Sequence, residues 1–258
     1  VLLNADDQNT ILIGSELASR ASVSWFGIDS GLLDASKNGL GAAPTYLPEL
    51  ERPFVRAEIR SVTGTKAVAQ LDGANQSFNL PNRGLHYALD SIAALLSAKT
   101  YLGADFDFPL ASKVLDELPP VFARGEIARV GDEDVEFILV QNPMSFQLNL
   151  DNLTTNPEQI MVAIGRDVHD PSWLWTVDMS NLGHVDMVSG YNFAEIALRL
   201  TYAGVPIAKV ESDLELALEQ FFAMPAPSKG IKTVIFSADA MRRTRRILGF
   251  TDPEAVER

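Results

Sequence analysis

From about residue 119 the chain alternates continuous apolar runs with helical patterns, and this alternation limits its architecture more than any other feature. The runs are VEFILVQN (135–142), QIMVAIG, PIAKVE and KTVIFSA, each of strand length. Between and after them come FQLNLDNLT, FAEIALRLTYAG, DLELALEQFFA and ADAMRRTRRILG, whose apolar residues recur at helical spacing. Strands that are apolar on both faces and separated by helices call for a parallel sheet, because parallel crossovers are long and their helices cover both faces. The expected fold of residues 119–258 is therefore a parallel α/β domain.

Residues 1–118 read differently and are expected to form a separate, partial α+β domain. VLLNADD looks like a buried strand entering a polar loop, so the chain is expected to begin inside a domain. VSWFGI (23–28) is followed by a loop rich in Gly, Ala and Pro (39–53). VRAEIRSV and KAVAQLD alternate and are joined by TGT, which predicts a β-hairpin, with QSFNLPNRG as a further short strand and turn. HYALDSIAALLSAKTY (86–101) predicts a helix that Gly103 stops.

Composition removes several functions. With 258 residues, 47% of them hydrophobic, the chain can bury sizeable cores. A formal charge of −13 disfavours nucleic acid and anionic membrane as partners. The basic cluster RRTRR (242–246) sits on a predicted terminal helix, where positive charge complements the dipole. There is no cysteine, which excludes disulfides, thiolate zinc sites and a cysteine nucleophile in this chain. No apolar run approaches the ~20 residues of a membrane span, and no leader pattern is present, so a cytoplasmic location without a transmembrane segment is expected.

In an open parallel sheet, ligands gather beyond the carboxyl ends of the strands. Those ends are read as Gln141-Asn142-Pro143, Gly165 to Asp170, Glu211-Ser212 and Ser237. GRDVHDPSWLW (165–175) thus falls on the edge where chemistry is expected. Its simpler account is that Asp167 and Asp170 cap the next turn, shaped by Pro171 and Ser172. His169 could serve as an acid or base, but no G-x-S-x-G serine accompanies it. His86 and His184 form no pair at metal-ligand spacing. Trp173 and Trp175 are expected in the core. Neither GxxxxGK[ST] nor GxGxxG occurs, so no phosphate-cradling loop is assignable. Asp6-Asp7 could approach a metal-bound nucleotide, though turn capping explains them more simply.

LNADD (3–7), GLHYALDSIAA (84–94), FARGE (122–126), LVQNPMSF (139–146), DPSWLW (170–175) and LRLTYAGV (198–205) occur in this order. Together they resemble the MurT family, the Mur-ligase-like subunits of lipid II isoglutaminyl synthase, from the later central domain through the C-terminal domain. The resemblance implies a partial Mur-ligase central domain over 1–118 and a Rossmann-like C-terminal domain of Mur-ligase type over 119–258. It further implies ATP- and Mg2+-dependent amidation of the D-glutamate α-carboxylate in the lipid II stem peptide, through an acyl phosphate. A separate GatD-like glutaminase would supply the ammonia and the cysteine and histidine. By motif position Asp170 would complete that glutaminase's triad. The same matching places Asn4, Asp6, Asp7, His86, Tyr87, Asp90, Gln141, Asn142, Arg166 and Asp167 near nucleotide or substrate.

This sequence departs from the family at several of those positions. The hairpin region (45–80) lacks the usual four-cysteine zinc ribbon, and Gln141 replaces a lysine. Tyr87 and Asp90 replace two asparagines of the motif GxxNxxNxxAA. The loop before Asp170 is shortened, His169 replaces an arginine, and Asn192 stands where arginine is frequent. The family's P-loop would lie before Val1, so the chain alone is expected to be catalytically silent. The alternatives are a degenerate Mur-ligase-like scaffold that binds a partner without ligating, and a Mur-type ligase that adds an amino acid.

Overall fold

The computed structural model describes residues 1–35, 40, 50–118, 124–153 and 157–250. The chain divides into two compact units, residues 1–119 and 120–258. The first unit holds strands β1 (Leu2–Asn4), β2 (Ser24–Ile28), β3 (Ala57–Thr63), β4 (Lys66–Leu71) and β5 (Ala74–Asn79), paired in that order. β1, β2 and β3 run parallel, whereas β3–β4–β5 is an antiparallel meander. The predicted hairpin is thus present, and a second follows it. There Asp72 (φ 48°) and Gly73 (φ 84°) both occupy the left-handed region that a two-residue I′ turn requires.

Helix α1 (Gln8–Leu17) follows β1, and α2 (Ser30–Ala35) follows β2. α3 (Leu85–Leu102) is the predicted long helix, ended by Gly103 at φ 58°. It lays Ala88, Ile92, Leu95 and Leu96 on Ile28, Ile59, Ala69 and Phe78. α4 (Phe108–Asp116) adds Leu115 to this core. Most of the Gly/Ala/Pro loop (39–53) lies outside the described residues.

The second unit contains a six-stranded sheet of β6 (Arg124–Val130), β7 (Glu133–Leu139), β8 (Gln159–Ala163), β9 (Val185–Ser189), β10 (Ile207–Val210) and β11 (Lys232–Phe236), in the order β10-β9-β8-β11-β7-β6. All pairings are parallel except β6–β7. α5 (Pro143–Asp151), a 3-10 helix (Pro171–Thr176) and α6 (Phe193–Tyr202) bury Phe146, Leu150, Leu174, Ile196 and Leu200 on one face. α7 (Leu214–Phe222) and α8 (Ala238–Ile247) bury Leu218, Phe221, Ala240 and Met241 on the other. Full burial of residues such as Phe137, Phe146, Phe221 and Phe236 contributes about 1.5–3 kcal/mol each.

Two sequence expectations change. PIAKVE is not buried on both faces: β10 is an edge strand and largely exposed, because β9 covers only one side of its ladder. Trp175 is 46% exposed rather than in the core, while Trp173 packs edge-on against Phe146. The basic cluster lies on α8 as expected, with Arg245 and Arg246 in its last turn, and Arg245 also pairs with Glu126 at 2.8 Å.

Candidate functional site

The chain leaves β8 and β7 toward the face carrying α5 and α6, and leaves β11 toward the face carrying α8. The carboxyl end of β11 is therefore flanked by connections that diverge, the place where ligand crevices form in such sheets. The loop after β8 lies on this edge, and it is held at nearly every residue. The Gly165 N–H donates to Ser237 Oγ at 2.7 Å, and the Arg166 N–H to Asp239 Oδ2 at 3.1 Å. Asn192 Nδ2 donates to the carbonyls of both Gly165 and Val168, each at 2.9 Å. Gly165 is required here, since a Cβ would stand 2.6 Å from the Ala240 nitrogen.

Asp167 crosses to the start of α8. Its carboxylate accepts from the Ser237 hydroxyl at 2.6 Å and from the N–H groups of Ala238 and Asp239 at 2.9 and 3.0 Å. It thus caps a helix some seventy residues away in sequence rather than the turn that follows it. Asp170 does cap the following turn, accepting the Ser172 N–H at 2.9 Å as N-cap of the 3-10 helix. Hydrogen bonds from the Ser172 side chain and backbone hold its carboxyl below the ordinary carboxylate range. The group is fully exposed and ionised at neutral pH. His169 is also exposed, and Arg166 lies over the Tyr191 ring at 5.3 Å.

Gln141 and Asn142 follow β7 on the other side of β11. Both are exposed, and Asn142 N-caps α5 in a capping box with Ser145. The remaining sequence-derived positions belong to the first unit. Asn4 accepts the Asp6 N–H at 3.0 Å, and Asp7 N-caps α1 through Asn9 and Thr10. Asp6 is nearly enclosed, accepting from the Ile28 N–H at 2.7 Å and pairing with Arg52 at 2.8 Å. Burial raises its carboxyl above the ordinary range, against the opposing pull of Ile28 and Arg52. Arg52 also pairs with buried Glu58 at 2.7 Å. His86 and Tyr87 form a ring pair (4.6 Å) in the first turn of α3, with Asp90 exposed one turn on.

Arg166, Asp167 and Asp170 therefore converge on one edge with Ser237, Asp239 and Asn192. Sequence reasoning did not assign those three partners a role. Asn192 and Asp239 lie outside the strand ends that periodicity located, and Ser237 was visible only as a strand terminus. The anion-attracting start of α8 is already occupied by the Asp167 carboxylate, both oxygens of Asp6 are engaged by Arg52 and Ile28, and Asp7 caps α1 through Oδ1 alone. Among the described residues, no group of three or more acidic, His or Cys side chains is placed to hold a metal ion.

The whole chain is structurally similar to a pseudomurein peptide ligase type C from Methanothermus fervidus (TM-score 0.66, 14% identity, 96% of this chain and 56% of that one). It is also similar to MurF from Acinetobacter baumannii (TM-score 0.63, 13% identity, 96% and 50%). Folylpolyglutamate synthase from Mycobacterium tuberculosis gives a TM-score of 0.62 at 16% identity (95% and 54%). The fold is thus of Mur-ligase type, an α/β architecture in which one sheet is mostly parallel.

Residues 139–237 match the family described as MurT ligase C-terminal. The chain is also 26% identical over 183 residues to the Streptococcus pneumoniae lipid II isoglutaminyl synthase (glutamine-hydrolyzing) subunit MurT, covering 67% of this chain and 39% of that protein. The chain thus has a Mur-ligase-type fold and is similar in sequence to MurT.

Proposed function

We propose that this chain is part of a synthase subunit that amidates the D-glutamate α-carboxylate of the lipid II stem peptide to D-isoglutamine, working with a GatD-like glutaminase. Residues 1–118 would be the later part of a Mur-type central domain and 119–258 the C-terminal domain. The observation that carries the reading is Asp170: a solvent-facing carboxylate, held ionised, on a tightly anchored loop at the carboxyl edge. Ser172 engages one of its oxygens, leaving acceptor capacity toward solvent.

A carboxylate so placed can accept the Nδ1–H of a partner's histidine. That fixes the imidazole tautomer and stabilises the imidazolium that forms when the histidine takes a proton from a nucleophilic cysteine. Asp170 stays ionised throughout, which its lowered pKa favours. The amidation itself requires ATP and Mg2+, and no step is assigned to Asp6 or Asp167, whose carboxylate oxygens are both engaged. That engagement favours, as a second reading, a scaffold that binds the glutaminase without ligating. ATP-dependent amidation by the full-length protein separates the two readings.

The test is co-purification with the glutaminase, followed by a glutamine hydrolysis assay. Asp170→Asn is expected to keep the melting temperature and to lower hydrolysis on the order of 10²–10⁴-fold, since an amide cannot stabilise imidazolium. Full hydrolysis in that variant would sink the assignment.

A further inference from the structure

Two helix N-cap residues in the second unit do not cap their own helices. Ser237 precedes α8 and Asn192 precedes α6, yet neither side chain bonds its helix's free N–H groups. Ser and Asn are favoured at this position for that bond. Both side chains instead reach the loop after β8. Ser237 Oγ accepts from the Gly165 N–H and donates to Asp167, which then caps α8 in its place. Asn192 is 7% exposed and ties the carbonyls of Gly165 and Val168 together through one amide nitrogen.

The backbone is shaped to permit this. Gly190, at φ 94°, lets the turn after β9 close on the end of β8, and a Cβ there would meet the Ile164 oxygen at 2.4 Å. The Asn192 N–H then reaches that oxygen at 2.9 Å. Val168, the last residue the clamp holds, packs into the core two residues before Asp170. Departures from local capping rules tend to mark functional sites, and here both departures serve the same loop.

We propose that Asn192, with Ser237 and Asp167, is a positioning residue for Asp170: it fixes the loop backbone so that the carboxylate meets the partner's histidine at a set distance and angle. The inference rests on the reading of Asp170 given above. Asn192 is nearly buried and acts through the loop backbone that it holds.

The experiment is a double-mutant cycle on glutamine hydrolysis by the chain complexed with its glutaminase. Asn192→Ala is expected to lower kcat roughly 10- to 100-fold, the cost of displacing a catalytic group by about an ångström. KM for glutamine should stay within about threefold, because the loss falls on the transition state. In the Asp170→Asn background the same substitution should change kcat by less than about threefold, since the group through which it acts is gone. An equal loss in both backgrounds, or an unchanged kcat, overturns the positioning role while leaving the Asp170 assignment intact. Full activity of Asp170→Asn alone removes both. If Asn192→Ala shows no cooperative melting, Ser237→Ala goes through the same cycle with the same expectations.

Discussion

Replacing Asp167 with alanine tests whether its carboxylate holds the candidate edge together. The substitution deletes one acceptor group that serves three donors, at 2.6, 2.9 and 3.0 Å. Loss of an N-cap costs about 0.5–2 kcal/mol, and a hydrogen bond to a charged group is worth about 1.5–3 kcal/mol. The three bonds share one carboxylate and water can reach part of the site, so they do not add, and we expect about 2–4 kcal/mol in total. For a unit of this size that corresponds to a fall in Tm of about 6–15 °C, measured by calorimetry on the transition of residues 120–258. Asp167→Asn keeps one acceptor oxygen but turns an NH2 toward a donor that the second oxygen now accepts, so its Tm should fall between the parent and the alanine variant. Hydrogen exchange at the Ala238 and Asp239 amides should quicken in the alanine variant. An alanine variant melting within about 2 °C of the parent refutes the cap.

Two further outcomes probe the sheet beneath that edge. Lys232 is fully buried, its Nζ bonding the carbonyl of Met224 at 2.8 Å and pairing with Glu133 at 2.8 Å. Lys232→Ala should cost about 3 kcal/mol and Lys232→Met clearly less, because methionine refills the volume; equal losses by urea denaturation would contradict this. Burial raises the Glu136 carboxyl above its ordinary 4.5, opposed only in part by the Thr233 hydroxyl. A raised acid is a penalty above its folded pKa, relieved as pH falls through that value toward the unfolded one. Glu136→Gln should therefore raise Tm near neutral pH, with a gain that shrinks on acidification; a gain that grows instead would rule out the desolvation account.

The parallel sheet was legible because its central strands are continuous apolar runs, and solvent-free faces demand that pattern. β9 escaped because VDMVS is interrupted by Asp186, whose carboxylate accepts the Ile160 N–H at 2.8 Å inside the neighbouring strand pair. β6 escaped because it is an antiparallel edge strand with alternating polarity, and its FARGE start overlaps residues 121–123, which lie outside the described residues. α1 and α4 carry clear signals in hindsight, with Asp7 and Asp107 each N-capping and Pro109 within the first turn. Of the candidate site, the positions of Asp167 and Asp170 at a strand's carboxyl end followed from topology alone. Their separate fates did not, since capping partners some seventy residues away leave no local trace.

Those fates bear on the proposed function more than the likeness of any single motif. Asp167 and Asp170 share one short acidic loop, so composition and spacing treat them alike. The difference arises because Gly165 brings the loop onto the start of α8, where free N–H groups draw in the nearer carboxylate. Once Asp167 is committed there, Val168 is drawn into the core and the chain must turn outward, which leaves Asp170 at the surface with Ser172 as its anchor. An exposed carboxylate on a mobile loop would orient nothing. On the proposed reading, the same carboxylate on a backbone fixed from α6 and α8 would impose a direction on a partner's imidazole, with the engaged Asp167 beside it holding the loop in place.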